Sequence, residues 1–241
     1  TGMMTRYVAV NHPAYFGGFV LRETLEAAGI VVRGDILCAR NCPKTVDVRT
    51  RREKGEWTTV AIYRSPRLAE IIKVVNKLSN NLYAELLLIA TGRAAGAAGT
   101  ERSAAAALAA LRRAGVDTSG VVMTDGSGLS RHDLVTPDSV ARLLRVMAEG
   151  PHARSFVDSL PVMSVDGTLG ARLKGSRAAE RVRAKTGTMT HVRGLSGYVT
   201  TLRGERLVFS IFSNNHVATS AVDAAMDRII LRLLGESPSK P

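Results

Sequence analysis

The sequence predicts an α+β fold in which helices pack against an antiparallel sheet. Apolar residues recur at helical spacing in the middle of the chain, from Leu68 to Val75 and in the alanine-rich stretch Glu101–Arg113. The amphipathic segment Val217–Leu234 can close the fold by packing its apolar face on a sheet. Three β-rich runs precede it, the last two joined by a short connection: Arg181–Met189, Leu195–Leu202 and Arg206–Ser213.

Composition restricts the class of protein. The chain of 241 residues can bury a core, and its 45% apolar content argues against global disorder. A formal net charge of +12 favours anionic partners such as an envelope polymer or a membrane surface. The basic residues are scattered without a recognition signature, so no nucleic-acid partner is predicted. No apolar run reaches the ~18 residues that suggest a membrane span.

The first quarter of the chain differs from the rest. A helix is predicted from Pro13 to Gly29, and three short β-rich runs follow: Ile30–Val32, Lys44–Val48 and Thr58–Tyr63. The pattern changes at Ser65 and Pro66, a typical helix start. We therefore expect residues 1–63 to be a strand-rich region and residues 64–241 to be a separate region, with helices in the middle and an antiparallel meander late. Within the latter, a helix opens at Thr136, and the stretch from about Met147 to Arg181 is interpreted as a loop region.

The two cysteines, Cys38 and Cys42, are separated by three residues. A local disulfide and a pair of free thiols are both compatible with this spacing. Because no His or Cys cluster accompanies them, no metal site is predicted.

Lys185-Thr186-Gly187-Thr188 has the composition of an anion-binding strand. On a strand, Lys185 and Gly187 face one side while Thr186 and Thr188 face the other. Glycine lets a ligand approach the backbone, lysine supplies a compact positive charge, and a free N–H can stabilise an oxyanion. A basic strand edge followed by a turn is the structural alternative.

Ser79-Asn80-Asn81 lies where one predicted helix ends and the next begins. Ser and Asn are common at such ends because they cap helices, which is the structural interpretation. In the functional interpretation, the Ser79 hydroxyl relays a proton and the Asn81 amide orients a substrate.

Taken together, the two motifs match two of three elements, S-x-x-K, S-x-N and K-T-G, of a known catalytic set. The chain resembles the low-molecular-mass penicillin-binding proteins of the D-alanyl-D-alanine carboxypeptidase/endopeptidase type (peptidase family S13, the DacB-like group). The blocks that carry the resemblance are Arg64–Glu85, Asp125–Arg131, Val182–Thr188 and Leu195–Tyr198.

The resemblance implies part of the transpeptidase fold shared by penicillin-binding proteins and β-lactamases, with a helical subdomain. Residues 1–63 would be the end of the family's strand-rich insertion. Residues 64–241 would be the C-terminal part of the D,D-peptidase domain. The turn at Asp125 and Ser127 is expected to shape the wall of the site rather than to take part in chemistry.

One element of the set is missing from its expected place. The only Ser-x-x-Lys in the chain is Ser237–Lys240, in a proline-containing tail. A nucleophile needs a rigid setting close to its base and its oxyanion donors, which such a tail does not provide. We therefore expect the nucleophilic serine to lie in sequence outside this chain, and the isolated chain to be inactive.

Residue roles follow from the resemblance. Ser79, Asn81 and Lys185 would be catalytic: Ser79 passes a proton toward the leaving amine, Asn81 holds a substrate amide, and Lys185 stabilises negative charge. Thr186 and Thr188 would bind the substrate's terminal carboxylate.

The remaining implications concern ligands. Gly187 would complete the substrate-binding strand, and no metal or cofactor is implied. The partners would be peptidoglycan stem peptides, with β-lactams as inhibitors of the complete enzyme, in the periplasm or cell envelope. Two other functions stay open: a non-catalytic module that binds peptidoglycan stems, and a β-lactamase-like hydrolase.

Overall fold

The computed structural model describes residues 10–36, 62 and 64–235, which belong to two units, Thr1–Arg64 and Ser65–Pro241. In the first unit, helix α1 spans Pro13–Ala27, as predicted. The strand predicted at Ile30–Val32 is wrong: these residues form no strand, because no partner strand pairs with them in the described part of the unit.

Several other features of the first unit lie outside the described residues. They are Cys38, Cys42, the predicted strand Lys44–Val48 and all of Thr58–Tyr63 except Ile62.

A three-stranded antiparallel sheet forms the centre of the second unit. Strands β1 (Val182–Met189), β2 (Val192–Thr200) and β3 (Arg206–Asn214) lie in the order β1-β2-β3. The register places Lys185 opposite Ser196 and Gly187 opposite Gly194. Tight connections between successive strands produce this meander, as the sequence predicts.

Helix α7 (Thr219–Leu233) covers one face of the sheet. Alternate residues of each strand face it, and over the first half of β1 and the strand positions paired with it these residues are mostly apolar and buried. The core that results contains Val182, Ala184, Leu195, Val199 and Phe209 from the sheet, and Met226, Ile230 and Leu234 from α7 and its C-cap.

Two helices cover the opposite face, α5 (Pro137–Glu149) and α6 (Ala153–Ser159). Leu144, Leu160 and Tyr198 form the buried cluster there, and the Tyr198 hydroxyl donates a hydrogen bond of 2.6 Å to the carbonyl of Leu144. Burial raises the pKa of Tyr198 to about 12. Helix α6 was not predicted: its segment was interpreted as a loop, because a helix of seven residues is too short to display a clear apolar period.

The helical subdomain consists of α2 (Leu68–Leu78), α3 (Asn81–Ala94) and α4 (Thr100–Arg113). Helices α3 and α4 form a close hairpin in which a Cβ at Gly92 would lie 1.9 Å from the hydroxyl of Ser103. Helix α2 begins two residues later than predicted. Its N-cap is Arg67 rather than Ser65, and the Arg67 N–H donates to the Glu70 carboxylate.

The sheet and the helices on both of its faces confirm the predicted α+β class. The sheet positions Lys185, and the connection between α2 and α3 positions Ser79.

Truncation of the core under the sheet should lower the stability of the second unit. Ile230 is fully buried, and we expect Ile230→Ala to lower the free energy of unfolding by about 2–5 kcal/mol. Its neighbour Ile229 is 42% exposed, and Ile229→Ala should cost less than about 1 kcal/mol. Chemical denaturation of the wild type and the two variants measures these free energies of unfolding. Equal decreases in the two variants would contradict the position of α7 on the sheet.

Candidate active site

Ser79 lies in the two-residue connection between α2 and α3. Its backbone is left-handed (φ 54°, ψ 50°), and the N–H groups of Ser79 and Asn80 both donate to the carbonyl of Val75. The Asn80 side chain caps α3 by accepting from the N–H of Tyr83 at 2.9 Å. Two helix ends thus fix the backbone on either side of an exposed serine.

The Lys185 ammonium donates a hydrogen bond of 2.7 Å to the hydroxyl of Ser79, 106 residues away in the chain. It also donates to the carbonyl of Thr186 at 2.8 Å. Burial lowers the pKa of Lys185 below its usual value of 10.5, since both of these partners are neutral. The K-T-G and S-x-N motifs are therefore in contact through Lys185, whose ammonium donates hydrogen bonds to neutral oxygens only in the described part of the chain.

Among the residues that the structure describes, backbone partners on the outward edge of β1 are found only at the start of the strand. The Met163 N–H donates to the carbonyl of Val182 at 2.9 Å, and the Ala184 N–H donates to the carbonyl of Pro161 at 3.0 Å. In an antiparallel strand, outward-directed groups recur at every second residue. The next outward N–H groups are therefore those of Thr186 and Thr188, and they face the open edge.

Beside this edge, on the α7 face, lies a cleft of about 410 Å³. The Thr186 hydroxyl donates to the hydroxyl of Thr168 at 2.8 Å at its wall. Arg172 and Arg193 also line the cleft, but each forms a salt bridge there. The Arg172 Nε lies 2.5 Å from a carboxylate oxygen of Asp227, and the Arg193 Nε lies 3.8 Å from one of Asp223. The lining residues are Thr168, Arg172, Thr186, Gly187, Thr188, Arg193, Gly194, Asp223 and Asp227.

The Lys77–Asp166 ion pair lies behind the site and was not predicted. Lys77 is only 9% exposed, and its ammonium contacts both oxygens of Asp166 at 2.7 Å. Burial alone would raise the pKa of Asp166, but hydrogen bonds from Lys77 and from the Val162 N–H outweigh it, so this pKa lies below 3.8. Sequence offers no signal for the pair, since a lysine on an amphipathic helix is usually exposed.

The other predicted residues lie further from this contact. Asn81 is the exposed first residue of α3, and its side chain forms no hydrogen bond with the other site residues that the structure describes. The Asp125 carboxylate accepts from the N–H groups of Gly128 (2.6 Å) and Ser130 (2.9 Å) within its own turn. Burial opposes but does not outweigh these bonds, so the pKa of Asp125 is lowered.

Within residues 10–36, 62 and 64–235, no three His, Cys, Asp or Glu side chains are grouped as a metal site would need. No helix in the same ranges has the length and apolar character to cross a membrane.

Comparison with known proteins places these features in a family. Residues 2–233 match the D-Ala-D-Ala carboxypeptidase 3 (S13) family. A D-alanyl-D-alanine carboxypeptidase of Actinomadura sp. (strain R39) is 38% identical over 239 residues, which are 95% of this chain and 42% of that protein. Carboxypeptidase DacB of Mycolicibacterium smegmatis is 32% identical over 191 residues, 76% of this chain and 41% of the relative. The chain thus spans about two fifths of the length of these curated relatives.

Solved structures support the fold. Penicillin binding protein 4 (DacB) of Haemophilus influenzae, complexed with a β-lactam, matches with a TM-score of 0.81 at 24% identity, over 94% of this chain and 52% of that one. An ancestral class A β-lactamase matches with a TM-score of 0.54 at 22% identity, over 92% and 82% of the two chains. The predicted likeness to the penicillin-binding-protein and β-lactamase fold is confirmed.

Lys185 should titrate below the usual pKa of 10.5 for a lysine, because burial disfavours its charged form. The folded state then releases this proton at a lower pH than the unfolded chain does. The contribution of Lys185 to the free energy of unfolding therefore rises with pH between the lowered pKa and 10.5. NMR titration of the lysine side chains gives the midpoint, with the resonance assigned by its loss in Lys185→Met. A midpoint at or above the usual value would contradict the burial of this ammonium.

Proposed function

The chain belongs to the D-Ala-D-Ala carboxypeptidase 3 (S13) family, and on this premise we propose that it is part of a serine-type D-Ala-D-Ala carboxypeptidase/endopeptidase acting on peptidoglycan peptides. The observation that carries the proposal is the 2.7 Å hydrogen bond between Lys185 and Ser79 beside the open edge of β1. It joins the S-x-N and K-T-G elements in a contact that suits proton transfer. In this proposal, residues 64–241 are the C-terminal part of the D,D-peptidase domain, and residues 1–63 are the end of an inserted region.

The substrate peptide would lie along the open half of β1. An extended peptide adds to an unpaired strand edge through backbone hydrogen bonds, and Thr186 and Thr188 offer outward N–H groups there. The hydroxyls of Thr186 and Thr188 would bind the terminal carboxylate, and the bare backbone at Gly187 would let it approach. The Thr188 N–H would be one of two donors to the oxyanion.

Proton transfer would run through Ser79. A serine of an S-x-x-K segment would attack the carbonyl between the two D-alanines and form an acyl-enzyme, and its lysine would accept the proton. Ser79 would donate its proton to the leaving D-alanine amine and regain one from the lysine of the S-x-x-K segment, which received it from the nucleophile. Lys185 would hold the Ser79 hydroxyl in place. Asn81 would orient the substrate amide from the first turn of α3. Water would then hydrolyse the acyl-enzyme.

The net charge of +12 fits a setting in the cell envelope, where it would raise the local concentration of anionic wall polymers. β-Lactams would acylate the complete enzyme, because they present a carboxylate and a reactive carbonyl to the same groups. The Haemophilus influenzae protein, whose structure contains a β-lactam, is consistent with this expectation.

Covalent labelling by a fluorescent penicillin tests the location of the nucleophile. We expect the isolated chain to remain unlabelled and a full-length protein that joins it to an S-x-x-K segment to be labelled. Replacement of the serine of that segment by alanine should abolish labelling. If the isolated chain were labelled, its own sequence would have to contain the nucleophile. A folded but unlabelled full-length protein would instead favour the non-catalytic, stem-binding alternative.

Lys185→Ala in the full-length protein should slow acylation by about 10²- to 10⁴-fold, the range for loss of a positioned proton-transfer network. Lys174→Ala is the matched control, because Lys174 is an exposed lysine of the same unit. Stopped-flow measurement of acylation gives both rates, and circular dichroism verifies that each variant is folded. Equal acylation rates in the Lys185→Ala variant and the wild type would remove Lys185 from the mechanism.

A further inference from the structure

We propose that Thr168, which lies outside every motif identified in the sequence, is a further carboxylate-binding residue, and that the Lys77–Asp166 ion pair positions it. This inference rests on the proposed function, because it concerns the ligand of the same strand. It adds a residue to the site and assigns a role to a buried ion pair.

The hydroxyls of Thr168 and Thr186 carry two protons between them. The two hydroxyl oxygens are 2.8 Å apart and share one hydrogen bond. Each hydroxyl has one proton, so whichever of them donates to the other, one O–H remains free. Both residues line the cleft next to the open edge of β1, and Thr168 is exposed. In the structure the Thr186 hydroxyl is the donor of this bond, so the free O–H lies on Thr168 and is the one offered to an anion in the cleft. Without the Thr168 hydroxyl, the O–H of Thr186 on β1 would be freed instead.

The surrounding backbone fixes the position of Thr168. It is the middle residue of a 3₁₀ turn, Gly167–Leu169, and Leu169 beside it is completely buried. The Ser164 N–H donates to the carbonyl of Leu169 at 3.1 Å and closes the loop that contains the turn. A residue held in this way presents its hydroxyl with little loss of conformational entropy on binding.

Contacts of Asp166 and Gly167 connect the turn to the helix end that carries Ser79. Asp166 precedes the turn, and its carboxylate accepts from the ammonium of Lys77 and, at 2.8 Å, from the Val162 N–H. The backbone of Gly167 is left-handed (φ 59°), and a Cβ there would lie 2.8 Å from the carbonyl of Lys77. The Lys77–Asp166 ion pair and the close approach of Gly167 to the Lys77 carbonyl together hold the 3₁₀ turn against the C-terminal end of α2. Since Lys77 is two residues before Ser79, one helix end positions both the proton-relaying serine and the additional hydroxyl.

The test compares two ligands that differ only in the carboxylate, a penicillin and its methyl ester, in acylation of the full-length protein. Thr168→Val keeps the side-chain shape and removes the hydroxyl. We expect it to lower the acylation rate for the acid by about 10-fold, the low end of the range for loss of a hydrogen bond to a charged group, because the freed Thr186 O–H on β1 replaces the lost donor only in part. The rate for the ester should change by less than about threefold, because the neutral ester gains little from this donor.

Two further variants separate positioning from folding. Thr168→Ser restores a hydroxyl and should restore the preference for the acid over the ester. Thr91→Val removes a hydroxyl that bonds only the carbonyl of Leu87 in α3, and should leave the preference unchanged. If Thr168→Val slows acid and ester equally, or leaves both rates unchanged, the proposed role of Thr168 is overturned while the proposed function stands. If the wild-type protein is not acylated, or does not prefer the acid, the proposed function fails and the inference fails with it.

A double-mutant cycle tests the ion pair. Asp166→Asn keeps an oxygen acceptor for the Val162 N–H and removes the charge that holds Lys77. We expect it to reduce the acid-over-ester preference in the wild-type background and to have no further effect on that preference in the Thr168→Val background. Additive effects of the two substitutions would show that Asp166 does not act through Thr168.

Discussion

Backbone hydrogen bonding divides the outward edge of β1 into two halves, and the geometry of the site follows from this division. Over the first half, Pro161 and Met163 pair with the strand and fix its position. The chain then turns away at Ser164, whose φ is 64°, and leaves the second half open. Full pairing would occupy the outward N–H groups of Thr186 and Thr188. A completely unpaired strand would be an exposed edge, which proteins usually protect.

Two lysines near this edge differ in burial and in their partners, since Lys77 is buried and Lys185 is half-buried. Lys77 has a carboxylate partner, Asp166, so the desolvation of its charge is offset inside the protein. Lys185 contacts a hydroxyl and a carbonyl, and no carboxylate of the described residues forms a salt bridge with it. Its positive charge therefore remains available to an anion that enters the site. The first lysine stabilises the scaffold, whereas the second supplies an unneutralised charge beside the open strand.

The sequence predicted secondary structure correctly where the pattern of residues was local and repeated. The sheet, helix α7 and the Ser79 connection were predicted because apolar period, caps and turn residues agree at those positions. The contact between Ser79 and Lys185 could be expected only from the family resemblance, since no local pattern relates residues so far apart.

Other features could not have been predicted from the sequence for physical reasons. Helix α6 is too short for its period to be visible. Thr168 and the Lys77–Asp166 pair depend on long-range contacts between residues that are usually exposed, and their sequence context has no signature. Ile30–Val32 shows the opposite error: β-branched residues favour a strand, but a strand forms only where a partner is available.

The left-handed backbone of Ser79 has a consequence for the way this protein can change. A serine at φ 54° is in a conformation that glycine adopts with less strain, so folding alone would favour replacement of the side chain there. The hydroxyl that meets Lys185 is therefore kept against a small conformational penalty. Under the proposed function, a relative that no longer needs the proton relay could replace this serine by glycine and gain stability while keeping the fold.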